Sequence, residues 1–475
     1  MRKIWPHQLL VTVIGGCLFG FLAGTFFELD WKRSITTFVV GFVLLLAALF
    51  FAILVGVRPI ALLNFFLIAF WIGLAFLANF SSKLEGVDSF EGGVVVKVIS
   101  PVSFLDREQE MIVIMKGFSG SDSDMVFFEG HRAIIRIPRY PEFHYGECMI
   151  FSGKLSSSRD VTPNLRSLMR AKEVSYYGKI FSVTGFECPK RPSYPEKIAG
   201  NLYQIQRAAR NNIEQSLPEP GASLAAGILL GSSGVMPKDF KNSLSKTGLT
   251  HIIALSGYNI SILLFAVVGL LVGVFGKKWS LSLGLIFVTL FVVMTGASAS
   301  LVRAALLALF VVIAKIFGRE PYLPSVLTSA ALVMSIDNPF VIRYDLGFQL
   351  SFLAFIGLIY LGNYYERIFA RVKFIPKLLQ KMVAETLGAQ SAVIPLIIAK
   401  FGTVSLIAPL ANILIVPVVP LIMAVAFVSA MLGFISPVFS NSVGLILWLL
   451  GQYVIRLVTF LASLPGSNFL IEIGK

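Results

Sequence analysis

Charged side chains are scarce in this chain. Asp, Glu, Lys and Arg make up 14% of its 475 residues, whereas 56% of the residues are hydrophobic. A soluble protein of this size would leave too much apolar surface in water, so the composition predicts a polytopic α-helical membrane protein. Apolar runs of about twenty residues predict about eleven spans. They cover residues 8–28, 34–57, 60–80, 251–275, 279–297, 301–318, 324–341, 346–363, 386–400, 403–434 and 438–464. Prolines interrupt the 403–434 run, which leaves one long helix or a broken pair as alternatives.

Side chains suited to catalysis or metal binding are also few. The chain has four histidines and three cysteines, and it contains no Cys-x-x-Cys cluster, His-x-Asp-His cluster or P-loop. A nucleophilic serine needs a neighbouring base, and the only histidine near Ser256 is His251. On a helix their offset turns the two side chains about 140° apart. The sequence therefore predicts no catalytic residue, metal site, cofactor or ATPase motor, and hence a protein that is not an enzyme.

The cysteines differ in their surroundings. Cys17 falls in the first apolar run, where it is expected to be an inert packing residue. Cys148 and Cys188 both fall in the polar insert between the third and fourth runs. They form a candidate disulfide if that insert is exported to an oxidising compartment, and two free thiols are the alternative.

Basic charge follows the topology. The 40 Lys and Arg residues exceed the 26 Asp and Glu residues, which gives a net charge of +14. With the N-terminus inside, most basic connections fall on the cytoplasmic side, as the positive-inside rule requires, and only Lys32 and Arg33 fall on the other side. The predicted regions are a three-span membrane region (1–83), an extracytoplasmic β domain (84–195), amphipathic or interfacial helices (196–245) and a second membrane domain (246–475).

The insert consists of short runs rich in β-branched and aromatic residues, separated by turn-forming stretches. Five or six short strands in about 100 residues favour an OB-type β-barrel over a sandwich. Its acidic and basic residues nearly balance, unlike those of a typical nucleic-acid binder. Two interpretations remain open for Arg132, Arg136, Tyr140 and their neighbours: a basic strip with stacking rings, or ordinary strand packing with solvated turns.

Polar side chains recur at membrane depth in the second membrane domain, where each needs a partner or water. Broken helices that line a cavity satisfy such groups. The candidate pathway residues are His251, Ser256, Asn259, Arg303, Gln349, Ser351 and Asn412, with Gly257, Gly296, Asp345, Gly347 and Pro417 as structural or orienting residues. For a single Ser or Gln, hydrogen bonding between helices is the alternative.

Four motifs in this order resemble the ComEC family of competence proteins. They are LAAGILLGSSGVMPKDFKNSLSKTGLTHIIALSGYNISIL (224–263), GASASLVRAALLALF (296–310), NPFVIRYDLGFQLSFLAFIGL (338–358) and QSAVIPLIIAKFGTVSLIAPLANILIVPVVP (390–420). The insert, with its YGECMIFSGKL sequence, is similar to the OB-type domain of this family. Tyr258 and Asn259 depart from the family pattern, which often has histidine or leucine-histidine after Ser-Gly.

The resemblance implies a channel in the bacterial inner membrane that passes single-stranded DNA during natural transformation. It implies membrane lipids, a cytoplasmic helicase-like motor and an external DNA-receptor or pilus system as partners, and a homo-oligomer is a further expectation. The chain ends at Lys475 without a metallo-β-lactamase-like domain, so we expect a separate nuclease if one strand is degraded. The alternative function is a transporter or flippase for a small or lipidic substrate.

Overall fold

The computed structural model describes most of the chain after residue 88. The described residues are 14–18, 20, 69–70, 73, 89–104, 108–119, 125–126, 130–180, 183–186, 192–231, 236–253, 255, 257–371, 376–464, 467 and 469–470. The first three predicted spans and the region 1–83 therefore lie almost entirely outside the described residues. The chain forms two compact units: residues 1–102, 107–192 and 306–349 form the first, and residues 103–106, 193–305 and 350–475 form the second.

The first unit contains a closed β-barrel. Its strands of four or more residues are β1 (Phe90–Val98), β2 (Glu108–Ser119), β3 (Arg132–Pro138), β4 (Cys148–Ser157) and β5 (Tyr176–Lys179), with β6 (Val183–Phe186) added on β4. The order around the barrel is β1–β2–β3–β5–β4, and β4 pairs with β1 to close the ring. The β3–β5 pair is parallel and the other pairs are antiparallel. Closure leaves these five strands without a free edge, and the predicted barrel is confirmed.

Apolar side chains fill the barrel because the side chains of a strand alternate between its two faces. The buried set includes Val94, Val96, Val98, Met111, Val113, Met115, Ile135, Ile137, Met149 and Phe151. The alternation that the sequence displays is therefore the alternation between the barrel interior and its surface.

The described helices of eight or more residues and the short helices between them follow in chain order. They are α1 (Pro163–Ala171), α2 (Tyr194–Ser216), α3 (Gly221–Leu230), α4 (Lys238–Lys246), α5 (Thr250–Ile253), α6 (Gly257–Met294), α7 (Ala299–Ile316), α8 (Leu323–Asp337), α9 (Val341–Tyr344), α10 (Leu346–Ile356), α11 (Asn363–Phe369), α12 (Lys377–Phe401), α13 (Ala408–Ile415), α14 (Val419–Gly433) and α15 (Pro437–Ser463). A π-helix (Gly357–Gly362) and a 3-10 turn (Val416–Val418) connect neighbouring helices.

Five helical stretches of the described residues are long and apolar enough to cross a membrane. They are Gly257–Met294, Leu346–Phe369, Lys377–Phe401, Ala408–Gly433 and Pro437–Ser463. The predicted multi-pass helical class is confirmed, but the described residues do not reach the predicted eleven spans. The predicted runs 301–318 and 324–341 correspond to helices α7 and α8, of 18 and 15 residues.

Local backbone breaks explain part of the difference in the number of spans. Gly276 has φ 69° and ψ 167°, a conformation that interrupts α6. Glycine adopts positive φ without a steric penalty, so the backbone turns between the two runs that the sequence separates, 251–275 and 279–297. In the 403–434 run the 3-10 turn at Val416–Val418 separates α13 from α14, because Pro417 has no N–H for a helical hydrogen bond.

The core of the second unit is built from α2, α3, α14 and α15. Every residue of α3 is buried, as expected for a helix that is apolar on all sides. The amphipathic helix α2 begins with a capping box, in which Ser193 and Glu196 satisfy each other's backbone N–H groups. It contributes Ala209 and Ile213 to this core.

Candidate functional site

Asn259 links two helices of the second unit. Its side chain is 3% exposed, and its Nδ2 donates a hydrogen bond to the Ile228 carbonyl oxygen at 3.1 Å. Ile228 lies in the last turn of α3, where carbonyl groups have no partner within the helix. Asn259 therefore supplies a donor to a carbonyl group at the C-terminal end of α3.

The neighbouring predicted residues are placed differently. His251 is exposed in the short helix α5, and its Nδ1 lies 3.0 Å from the Gly248 carbonyl oxygen. Ser256 lies outside the described residues. Gly257 begins α6, and a Cβ at this position would contact the Cβ of Ala304 in α7 at 3.5 Å. The first turn of α6 thus packs next to the helix that carries Arg303.

Arg303 has the largest fully buried side chain among the described residues, with 1% exposure. Its Nη2 donates to the Ser300 hydroxyl oxygen at 3.1 Å, one turn earlier in α7. The guanidinium carbon lies 5.4 Å from the centroid of the Phe352 ring, a cation–π distance. Gly296, with φ +88°, forms the tight turn from α6 into α7. This arrangement keeps a permanent positive charge inside an apolar part of the unit.

Asp345 and Gln349 shape a helix break in the first unit. Asp345 lies between α9 and α10, and its Oδ1 accepts a hydrogen bond from the Phe348 N–H at 2.8 Å, as a helix N-cap does. Gln349 Nε2 donates to the carbonyl oxygens of Ile342 and Arg343 at 2.9 and 2.6 Å. A Cβ on Gly347 would lie 3.0 Å from Asp345 Oδ1, so glycine leaves room for this cap.

Two amide oxygens among the predicted pathway residues are buried without a hydrogen-bond partner. They are Gln349 Oε1 and Asn412 Oδ1. A buried acceptor in this state costs free energy, and each oxygen is free to accept a bond from water or from a donor of a ligand. Ser351 is partly buried in α10, and Pro417 is exposed in the 3-10 turn.

The predicted pathway residues are divided between the two units. Asn259, Arg303, Ser351 and Asn412 belong to the second unit, and Gln349 belongs to the first. Sequence reasoning missed Phe352, although its spacing of three residues from Gln349 on one helix is visible in the motif. The predicted role of Asp345 in orienting Arg303 stays a prediction.

Four basic residues of the β domain are paired with acidic ones. Arg136 lies 2.7 Å from Glu110, Lys172 lies 3.6 Å from the same carboxylate, and Arg132 lies 3.0 Å from Glu173. Lys179 pairs with Glu108.

The aromatic side chains near these basic residues differ in their exposure. Tyr140 is 72% exposed, Phe143 and Tyr176 are buried, and Tyr145 and Tyr177 are half-buried. Ion pairing and burial thus favour strand packing over an open basic strip.

The cysteines are only partly described. Cys17 is free, and Cys148 is disulfide-bonded. Cys188 lies outside the described residues, so the pairing of Cys148 with Cys188 stays a prediction. Within the described part of the chain, no group of three or more His, Cys, Asp or Glu side chains could hold a metal ion.

These features define a multi-pass α-helical membrane protein with a β-barrel domain. Residues 228–474, just over half of the chain, match the family described as Competence protein, and the chain belongs to this family. It is also similar to ComE operon protein 3 of Bacillus subtilis (strain 168), with 25% identity over 239 residues. That alignment covers 50% of this chain and 29% of the relative. No solved structure matches the chain.

Proposed function

We propose that this protein passes single-stranded DNA inward across the bacterial cytoplasmic membrane during natural transformation. The observation that carries the proposal is the buried guanidinium of Arg303, within the region that matches the competence family. A permanent charge at membrane depth is costly and characteristic of ion and substrate pathways. A polyanion needs such donors because hydrocarbon cannot solvate its phosphates.

The contacts of Arg303 suggest how a phosphate enters. In the described conformation the guanidinium donates to the neutral hydroxyl of Ser300. A phosphate oxygen in place of this hydroxyl would form a charge-assisted hydrogen bond, which is roughly twice as strong as a bond between neutral groups. The strand would therefore stabilise an opened conformation, in which Arg303 and Asn259 face the DNA.

Few strong contacts favour transport. Conduction requires binding that is weak enough for release, and a pathway of amides and hydroxyls with one guanidinium meets this condition. In this proposal His251, Ser256, Gln349, Ser351 and Asn412 line the path. Gly257, Gly296, Gly347 and Pro417 permit the helix breaks, and Asp345 orients a donor.

The proposal also includes the number of spans, the type of the barrel and the arrangement of the regions. About eleven spans are inferred from the apolar runs of the whole chain. An OB-type assignment of the barrel is supported by five strands that close on themselves with a short additional strand. The proposed regions are 1–83, 84–195, 196–245 and 246–475, with 84–195 outside the cytoplasm on the basis of the positive-inside pattern.

The proposed partners follow from the proposed transport of DNA. Without a P-loop, the chain needs a cytoplasmic helicase-like motor. The basic 367–381 segment is a candidate dock for it, and a lipid-facing topology signal is the alternative. An external receptor or pilus supplies the DNA, a separate nuclease degrades the second strand if degradation occurs, and membrane lipids surround the spans. A homo-oligomer belongs to the same proposal.

The test is import of fluorescent DNA in a transformable host that carries this protein, compared with a clean deletion and a complemented deletion. We expect the deletion to retain DNA at the cell surface and to lose it from the cytoplasm, and the complemented strain to regain import. Unchanged import in the deletion would refute the proposal and would favour a transporter or flippase for a small or lipidic substrate.

A further inference from the structure

Asn338 joins the barrel domain to the helical part of the first unit. It ends α8 in an extended conformation, φ −138° and ψ 103°, which a following proline favours. The side chain is 4% exposed, and its Nδ2 donates to the carbonyl oxygens of Arg170 and Ala171 at 3.1 and 3.0 Å. Its Oδ1 accepts from the Phe340 N–H at 2.9 Å. The nitrogen of this buried amide thus binds the C-terminal end of helix α1, and its oxygen binds the backbone of its own segment.

Arg170 makes the reciprocal contact from α1. Its guanidinium carbon lies 5.6 Å from the Phe340 ring centroid and 5.5 Å from that of Tyr344. Its Nη1 also donates to the Tyr344 hydroxyl oxygen at 2.8 Å. Stacking and hydrogen bonding by the same guanidinium require the planar group of arginine. The contact is therefore specific in its geometry.

The helix break that follows supports this surface. Gln349 holds the carbonyl groups of Ile342 and Arg343, in the short helix that carries Tyr344. Asp345 caps the start of α10 directly after that helix. Two residues that the sequence suggests for a pathway thus also shape the segment that receives Arg170.

We propose that residues 338–344 are a docking platform for helix α1, and that this platform holds the barrel in one position relative to α8, α9 and the start of α10. The carbonyl groups at the end of α1 lack helical partners, and Asn338 supplies donors to them. Arg and Tyr are residues that commonly dominate the energy of an interface. Under the proposed function, on which this consequence rests, a fixed barrel would guide the incoming strand to a constant entry point.

Hydrogen–deuterium exchange of the full chain in lipid nanodiscs tests the docking. Arg170→Gln should speed the exchange of the Arg343 and Tyr344 amides, which bond to the Phe340 carbonyl, by about tenfold, because a hydrogen bond to a charged group is lost. Asn338→Ala should in turn speed exchange in α1, since coupling between two sites is reciprocal. Tyr344→Phe keeps the ring and removes only the hydroxyl acceptor, so it should have a smaller effect.

Lys172→Gln is the matched control. It removes one positive charge beside α1, where Lys172 pairs with Glu110 of strand β2, and it should leave exchange at residues 338–344 unchanged. Unchanged exchange at 338–344 in Arg170→Gln, or an equal change in Lys172→Gln, would overturn the docking platform.

The DNA import assay tests the consequence separately. Arg170→Gln should lower import several-fold at unchanged membrane abundance, and Lys172→Gln should not. If exchange responds as expected but import is unchanged, the guiding role is overturned and the contact is structural. If the complete deletion imports DNA normally, the proposed function fails, whereas the exchange result still decides the docking.

Discussion

Replacing Arg303 by methionine removes a buried positive charge and keeps a long flexible side chain at the same position. Two contacts of this arginine are the hydrogen bond to Ser300 at 3.1 Å and the stacking of its guanidinium 5.4 Å from the centroid of the Phe352 ring. A structural role and a role in the pathway make different predictions for this variant. The first predicts a loss of stability, and the second predicts a loss of import in a protein that remains folded.

The magnitudes follow from these contacts. The variant loses about 0.5–2 kcal/mol of cation–π interaction and about 1.5–3 kcal/mol of hydrogen bonding to a charged group. It also removes the desolvation penalty of a buried charge, which is several kcal/mol, and apolar replacement of buried charges is often neutral or stabilising. We therefore expect the free energy of unfolding to change by no more than about 2 kcal/mol in either direction.

The expected effect on import is larger. If Arg303 binds a phosphate in the limiting step, loss of about 1.5–3 kcal/mol lowers the import rate by about tenfold to a hundredfold. Thermal unfolding in nanodiscs and import of fluorescent DNA measure the two effects. Arg456→Met is the control, because Arg456 is an exposed arginine within the candidate span Pro437–Ser463. It should leave import near the wild-type level.

Two results would refute this reasoning. Normal import in Arg303→Met would remove Arg303 from the pathway. A marked loss of thermal stability, with import reduced only in proportion to the folded protein, would assign Arg303 to the structure alone.

Two further predictions concern the first unit. Asp345→Ala should lower the free energy of unfolding by about 1 kcal/mol because the helix cap is lost. Asp345→Asn keeps an acceptor for the Phe348 N–H and should lower it less. Equal losses of stability for the two variants in thermal unfolding would contradict a capping role. Burial raises the pKa of the Glu173 carboxyl above its ordinary value of 4.5, the positive charge of Arg132 opposes this shift, and the negative charge of Asp337 adds to it. The folded state then binds the proton more tightly, so stability should fall as pH rises from 4.5 through the raised pKa. Glu173→Gln should flatten this decline, and identical pH profiles of thermal unfolding for wild type and variant would contradict it.

The general class was predictable from the sequence for local reasons. Long apolar runs predict membrane helices because each span must satisfy its own backbone hydrogen bonds. The short alternating runs of the insert predict strands because side chains alternate along a strand. Both features appear in the structure, as the helical stretches of the second half and the five-stranded barrel.

The number of spans was harder to predict because breaks depend on single residues. The Gly276 break in α6 coincides with Lys277 and Lys278, where the sequence already separates two apolar runs, whereas Pro417 produces only one 3-10 turn between α13 and α14. Hydropathy alone does not distinguish a break of this kind from a loop. Runs near the minimum length of a span also stay ambiguous, as α8 with 15 residues illustrates.

The sequence by itself determined which polar residues fall within apolar segments, since composition along the chain decides what must be buried. Only the tertiary structure decided what these residues bind. Asn259 bonds to a carbonyl 31 residues away, and Asn338 bonds to a carbonyl 168 residues away. Hydrogen bonds act over about 3 Å, so their partners depend on how distant segments pack. Packing likewise decided that Asp345 caps a helix and that Arg303 lies buried against an aromatic ring.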